Sequence, residues 1–333
     1  MTAGRHLLQP SPAPELPVDG ALDPAVADGG RVHRVAVVDT DDELIALALG
    51  FLRAGLDQGD VVVAYLAPAA AGHVRAQLPE VDVRELSVPT PREPDAIAGH
   101  LQMLGDAQDQ GRRLRVLGQV HERDRRAWDE RVRGEAAHEH VFAGEPMTSL
   151  CVYDSRTTPL EALEVVLVAH PEVVVGGRVH ESPGFRPPLD LLASLPVPEE
   201  PLQAQAPVFA VDDAPSLPEL RHQLAAALRG RFAGRDAEED FHLAASEIAA
   251  NAFRHGGRPV SVRLWAAPDR VVCTISDGGS DYDGFLAGYR PAHGDDLSRG
   301  GMGLWLARKL CDHVDLHRSA AGLTVRLTAA VPA

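Results

Sequence analysis

Glu247, Asn251 and His255 stand four residues apart in the run EIAANAFRHG, so on an α-helix they form one stripe that drifts by about 40° per step. A carboxylate and an amide on one helix face can do chemistry together. The carboxylate can take a proton from an attacking hydroxyl, and the amide oxygen can ligate a hydrated hard cation that carries a phosphate. The intervening Ile248, Ala249, Ala250, Ala252 and Phe253 are apolar and would pack the other sides of the helix. A solvated polar stripe, or a Glu held by a neighbouring Arg, would produce the same pattern.

The residues that follow make the reading more specific. A β-branched run ends in Asp277-Gly278-Gly279, a later loop runs Gly300-Gly301-Met302-Gly303 into a helical stretch, and Gly322-Leu323-Thr324 opens the last strand. Each piece alone is ordinary turn or cap chemistry. Their order and spacing resemble the GHKL (Bergerat-fold) ATP-binding domain over about residues 206–330. The resemblance implies ATP and Mg²⁺ as cofactors, with Glu247 as general base, Asn251 as Mg²⁺ ligand and Asp277 as acceptor from the adenine amino group. It further implies that Gly279, Gly301 and Gly303 let backbone approach the nucleotide, that the helix opening at Met302 offers amides to its phosphates, and that Thr324 lies near the adenine. One departure stands out: Ser280-Asp281 replaces the further x-G of many relatives, and a carboxylate facing phosphates would repel them. The segment from Gly279 to Gly300 reads as a mobile acidic lid.

The compact form of this half, with Glu-x-x-x-Asn-Ala followed by RHG and GMGLWLARKLCD, is similar to the anti-sigma-factor Ser/Thr kinases. That resemblance implies a sigma factor or a STAS-type anti-sigma-factor antagonist as partner. His222 sits inside the first helix of the domain and reads as a surface histidine, not a phosphoacceptor. Two other readings stay open: a non-catalytic ATP-gated binding switch, and a histidine-kinase-like component.

Elements must position these groups, and the chain divides by composition. Residues 1–30 are rich in Pro, Ala and Gly without periodicity and read as a disordered leader. Over residues 31–180 short β-branched runs (RVAVVD, DVVVAYLA, RLRVLGQV, SLCVYD, EVVVGG) alternate with helical stretches, which predicts an α/β domain around a largely parallel sheet. Residues 181–205 are proline-dense and read as a semi-rigid linker with a short helix at LDLLASL. Residues 206–333 read as α+β, with helices on one face of a mostly antiparallel sheet.

The first of these domains has a resemblance of its own. HRVAVVDTDDELIALALGFLRAGLDQGDVVVAYLAP, RVLGQV, Trp128, Glu135, SLCVYD and AHPEV are similar to the MEDS sensory domain found in dichloromethane-metabolism regulators. This implies a small-molecule ligand, with His33, Glu135, Cys151, Tyr153, Asp154 and His170 at characteristic positions. A His/Cys/His set among them also suits zinc or iron, although their wide separation supplies no spacing evidence. Gln119 and Glu139 depart from the family pattern.

Composition bounds the rest. Among 333 residues the formal net charge is -16, which disfavours direct nucleic-acid or anionic-membrane binding. The three cysteines, Cys151, Cys273 and Cys311, form no C-x-x-C pair, and no apolar run is long enough to span a bilayer. The expectation is a cytoplasmic regulator in which the first domain controls the second; a homodimer is left open.

Overall fold

The computed structural model describes residues 32–86, 92–279, 282–290 and 302–331. The expected leader, Ser280, Asp281 and Gly301, together with much of the expected lid, lie outside the described residues.

The first half builds a seven-stranded sheet from β1 (Val32–Val38), β2 (Val61–Leu66), β3 (Asp82–Glu85), β4 (Leu114–Val120), β5 (Met147–Asp154), β6 (Glu172–Val175) and β7 (Arg178–Glu181), in the order β3-β2-β4-β5-β1-β6-β7. All pairings are parallel except the hairpin of β6 with β7. Parallel pairing requires crossovers, and the helices α1 (Asp41–Asp57), α2 (Pro68–Gln77), α3 (Glu93–Asp109), α4 (Arg125–Val141) and α5 (Leu160–Ala169) supply them. Alternation along the strands divides two cores. Ala36, Val38, Leu150 and Val152 meet Leu44, Ala48, Phe51 and Leu52 of α1, whereas Val35 and Tyr153 meet Trp128 and Val132 of α4 and Val166 of α5. His33 and Cys151 have the parity of Val35 and Tyr153, so their side chains leave the sheet toward α4 and α5.

Helix α4 was not foreseen from the sequence. Asp124 starts it by accepting from the Ala127 amide at 2.9 Å. Its buried positions include Glu135 and Glu139 besides Trp128, Val132, Ala136 and Ala137. Buried acids on the inward face erase the apolar periodicity that ordinarily reveals a helix.

The proline-dense stretch is anchored at both ends. Within it α6 (Pro188–Ser194) buries Leu191 and Leu192 in the core of the first domain. A 3-10 turn at Pro201–Ala204 then places Leu202 against Trp265 and Val272 of the second.

The second half pairs β8 (Phe209–Val211), β9 (Ser261–Ala267), β10 (Arg270–Asp277), β11 (His313–Ser319) and β12 (Gly322–Ala330) in the order β11-β12-β10-β9-β8, all antiparallel. Helices α7 (Leu217–Leu228), α8 (Arg235–His255) and α9 (Gly303–Leu310) accompany this sheet. Helix α8 buries Phe241, Ala244, Ala245, Ile248, Ala249 and Ala252, at helical spacing. The small side chains allow a close approach to Cys273 and Ile275 in the same core. The two halves therefore adopt the expected classes, α/β followed by α+β.

They also touch. Arg92 of the first domain donates to the Lys309 carbonyl at 2.8 Å and to Asp312 at 2.7 Å, and Lys309 pairs with Asp95. Arg126, on α4, pairs at 2.7 Å with Asp315 of β11, which Arg326 also holds at 2.8 Å. Tyr289 is buried in the core cluster that contains Leu191 and Leu192, with the Arg308 guanidinium 4.1 Å from its ring centre.

Candidate functional site

The stripe on α8 opens toward the start of α9. Asn251 is half-buried there, and an ideal Cβ on Gly303 would lie 2.7 Å from its Nδ2, so the absence of a side chain at Gly303 makes room for the amide. Met302 precedes Gly303 as a buried N-cap residue whose side chain makes no cap hydrogen bond, which leaves the first amides of α9 to outside acceptors. Glu247 lies one turn before Asn251, and its side chain is 32% exposed. Arg221 of α7 approaches it to 3.5 Å. His255 and Arg254, one turn further on, are exposed, and so is His222.

Asp277 closes β10 with its side chain turned into the loop that follows α8. The carboxylate accepts from the amides of Gly279, at 2.8 Å, and Gly257. Its group fills the space where a Cβ on Gly256 would stand, 2.3 Å from Cγ. Burial pushes the Asp277 carboxyl upward, and the two amide hydrogen bonds act against that rise. Across the register, Ser276 faces Thr324, and their hydroxyls share a hydrogen bond of 2.8 Å. Gly322 has φ +128°, and a Cβ there would lie 1.8 Å from the Asp277 carbonyl oxygen, so only glycine can open β12 beside this acid. Asn251 and Gly303 thus meet at one contact, while Asp277, Gly279 and Thr324 cluster at the ends of β10 and β12. The acid, amide and glycines offer what a nucleotide with its cation requires: an acceptor, an oxygen ligand, and backbone open to close approach.

The first domain holds a second constellation. His33 from β1, Glu135 from α4, Cys151 from β5 and His170 after α5 converge so that one ligand atom of each lies within 4.8 Å of all the others. His33 and His170 are fully buried and Glu135 nearly so. Burial alone would raise the Glu135 carboxyl, but His170 and His33 beside it hold it well below the usual carboxylate range. The Cys151 thiol is pushed well up by burial and by the Glu135 charge, and burial drives His138 well down. The His138 ring centre lies 4.6 Å from that of His33; no motif in the sequence marked this residue.

Tyr153 belongs to the constellation, donating to Glu135 Oε1 at 2.5 Å. Asp154 does not: it faces Arg156, which lowers its carboxyl. Gln119 accepts from the Ala67 amide at the start of α2, so its departure from the family pattern affects a helix entry. Glu139 stands beside His33, with Oε2 3.1 Å from Nδ1.

Comparison with known proteins agrees with this division. Residues 32–171 match the family model of MEDS, the methanogen/methylotroph DcmR sensory domain, and residues 209–329 match that of the histidine kinase-like ATPase domain. The chain is similar to the serine-protein kinase RsbW of Bacillus velezensis, 37% identical over 101 residues, covering 27% of this chain and 62% of the relative. It is similar also to that of Bacillus subtilis, 35% identical over 104 residues, covering 28% and 64%. The chain thus spans less than two thirds of the length of these curated relatives. Among the described residues no helix is long and apolar enough to cross a membrane. The parallel sheet thus lies in the region that matches the MEDS sensory domain, and the helix-backed antiparallel sheet in the region that matches the histidine kinase-like ATPase domain.

Proposed function

We propose that the chain is an ATP-dependent Ser/Thr protein kinase of the anti-sigma-factor type, acting on a STAS-type antagonist or holding a sigma factor, under the control of its sensory domain. The observation that carries this is the meeting of Asn251 with Gly303 beside the open start of α9, with Glu247 one turn away. In this reading Asn251 holds Mg²⁺, Asp277 with Thr324 receives the adenine, and Glu247 takes the proton from the protein hydroxyl. Phosphoryl transfer of this kind depends on positioning and charge neutralisation, so few groups are needed. The similarity to serine-protein kinases supports the choice of acceptor.

Control by the first domain is supported by the direct contacts. Helix α4 carries Glu135 and Glu139 toward one end and Arg126, bound to Asp315, at the other, about 14 to 20 Å away along the axis. Helix α3 holds α9 through Asp95. A ligand that binds two arrangements of α4 unequally would shift the nucleotide end of α9 by its differential affinity.

A second reading has its own observation. The 3.5 Å pairing of Arg221 with Glu247 holds the base as a structural partner would, which fits a non-catalytic ATP-gated switch. Incubation with Mg²⁺, labelled ATP and candidate antagonists from the same cell separates the two. Label on an antagonist Ser or Thr, lost in Glu247→Ala and Asn251→Ala, establishes the kinase. ATP binding without transfer, unaffected by Glu247→Ala, establishes the switch.

A further inference from the structure

We infer that His33, Glu135, Cys151 and His170 form a four-coordinate site for a divalent transition-metal ion of the zinc class. The inference is independent of the kinase reading, since it rests on side chains of the first domain alone.

Geometry is the first argument. Glu135 Oε2 lies 3.4 Å from His33 Nε2, 3.4 Å from His170 Nε2 and 3.4 Å from Cys151 Sγ, and Cys151 Sγ lies 3.6 Å from His33 Nε2. A tetrahedral zinc ion, with bonds of about 2.0–2.1 Å to N or O and 2.3 Å to S, separates its N and O ligands by roughly 3.3 Å and its S and N ligands by roughly 3.6 Å. These four edges lie within about 0.2 Å of those values, and one ligand atom of each residue stays within 4.8 Å of all the others.

Orientation is the second. A histidine that ligates through Nε2 ordinarily gives its Nδ1 proton to a carboxylate or carbonyl, which fixes the tautomer and aims the lone pair. Both histidines have that arrangement. His33 Nδ1 lies 3.1 Å from Glu139 Oε2, and His170 Nδ1 lies 2.7 Å from the Val166 carbonyl. His170 Nε2 is left buried without a hydrogen-bond partner, aimed into the centre. Tyr153 donates to the outer oxygen of Glu135, leaving the inner one for the site. Three of the four ligands are therefore held by a partner outside the ligand set.

Chemistry selects the ion. A thiolate and two imidazoles are poor ligands for Mg²⁺ or Ca²⁺, which take oxygen ligands and keep water, and the buried setting leaves little room for such water. Thiolate with carboxylate supplies two negative charges, which balance a divalent cation. Loading forms the Cys151 sulfur–metal bond and breaks its S–H bond, releasing that proton to solvent. Iron(II) accepts the same donors, and elemental analysis of the isolated protein distinguishes it from zinc.

The test is Co²⁺ titration of the full chain after chelator treatment under reducing conditions. One equivalent should produce the intense visible bands of tetrahedral Co²⁺ and a near-ultraviolet sulfur-to-cobalt band, both displaced by Zn²⁺. Cys151→Ser should delete the sulfur band while keeping the visible bands. His33→Ala and His170→Ala should abolish stoichiometric binding, whereas substitution of the exposed His73 should change nothing. Circular dichroism and a cooperative thermal unfolding transition for each variant show that the chain has folded. A weak six-coordinate spectrum with wild type, or a sulfur band that persists in Cys151→Ser, overturns the assignment.

Discussion

Gly303→Ala isolates position from fold at the nucleotide site. The new Cβ would stand 2.7 Å from Asn251 Nδ2, so the amide must retreat by roughly 0.7 Å to reach ordinary contact. Among the described residues no other atom lies closer than 3.5 Å: the atom displaced is the tip of a flexible side chain, and alanine in the first turn of α9 favours the helix by up to about 1 kcal/mol. Mg²⁺ tolerates little distortion of its octahedral shell, and a misplacement near 1 Å costs on the order of 10²-fold in rate. Mg·ATP affinity should therefore fall about tenfold or more, and phosphoryl transfer about a hundredfold, with the melting temperature unchanged or slightly raised. Calorimetric titration with Mg·ATP, beside thermal unfolding without nucleotide, measures both. Wild-type affinity in a folded Gly303→Ala chain would refute the placement of Asn251 at the cation.

Other expectations follow from single contacts. Removing Arg92 and Arg126 together cuts the bonds to Asp312 and Asp315, while Asp315 keeps Arg326. Asp315 is buried and Arg126 also pairs with Glu130, so stability should fall by about 2–4 kcal/mol, and hydrogen exchange should quicken in α9 and β11 more than in α1; equal protection would show that the domains are not coupled there. Gly322→Ala forces a side chain into φ +128° and against the Asp277 carbonyl, which should cost about 2–4 kcal/mol in denaturant unfolding. His100 is held neutral, its pKa lowered to about 4 by burial and by Arg131 and Arg84. Its contribution to stability is complete above the ordinary value near 6.5 and is lost as pH falls toward 4, amounting to about 3 kcal/mol. His313, lowered to about 4 by burial and Arg126, adds a loss of the same sign. His100→Phe should make the acid limb of the stability curve shallower, and an unchanged limb would contradict the assignment.

The second domain was the more legible in sequence because its informative groups are local. Asn251, Asp277 and Thr324 sit on α8, β10 and β12, elements whose periodicity is plain, and glycine marks the places where backbone must come close. The contact of Asn251 with Gly303 and the hydrogen bond of Ser276 with Thr324 required the fold. So did the pairing of Arg221 with Glu247, which the pattern admitted as an alternative but could not assign to a particular Arg.

In the first domain the balance is reversed. Strand alternation and composition by themselves determined a largely parallel α/β sheet, because period two and β-branching are properties of neighbouring residues. Only the tertiary structure decided that His33, Glu135, Cys151 and His170 share one centre. Parallel pairing routes the chain through helical crossovers, so strands adjacent in space are distant in sequence and ligand spacing carries no information. Helix α4 shows the same limit: Glu135 and Glu139 stand among its buried positions, beside His33, and acids on the inward face hid the helix that bears them.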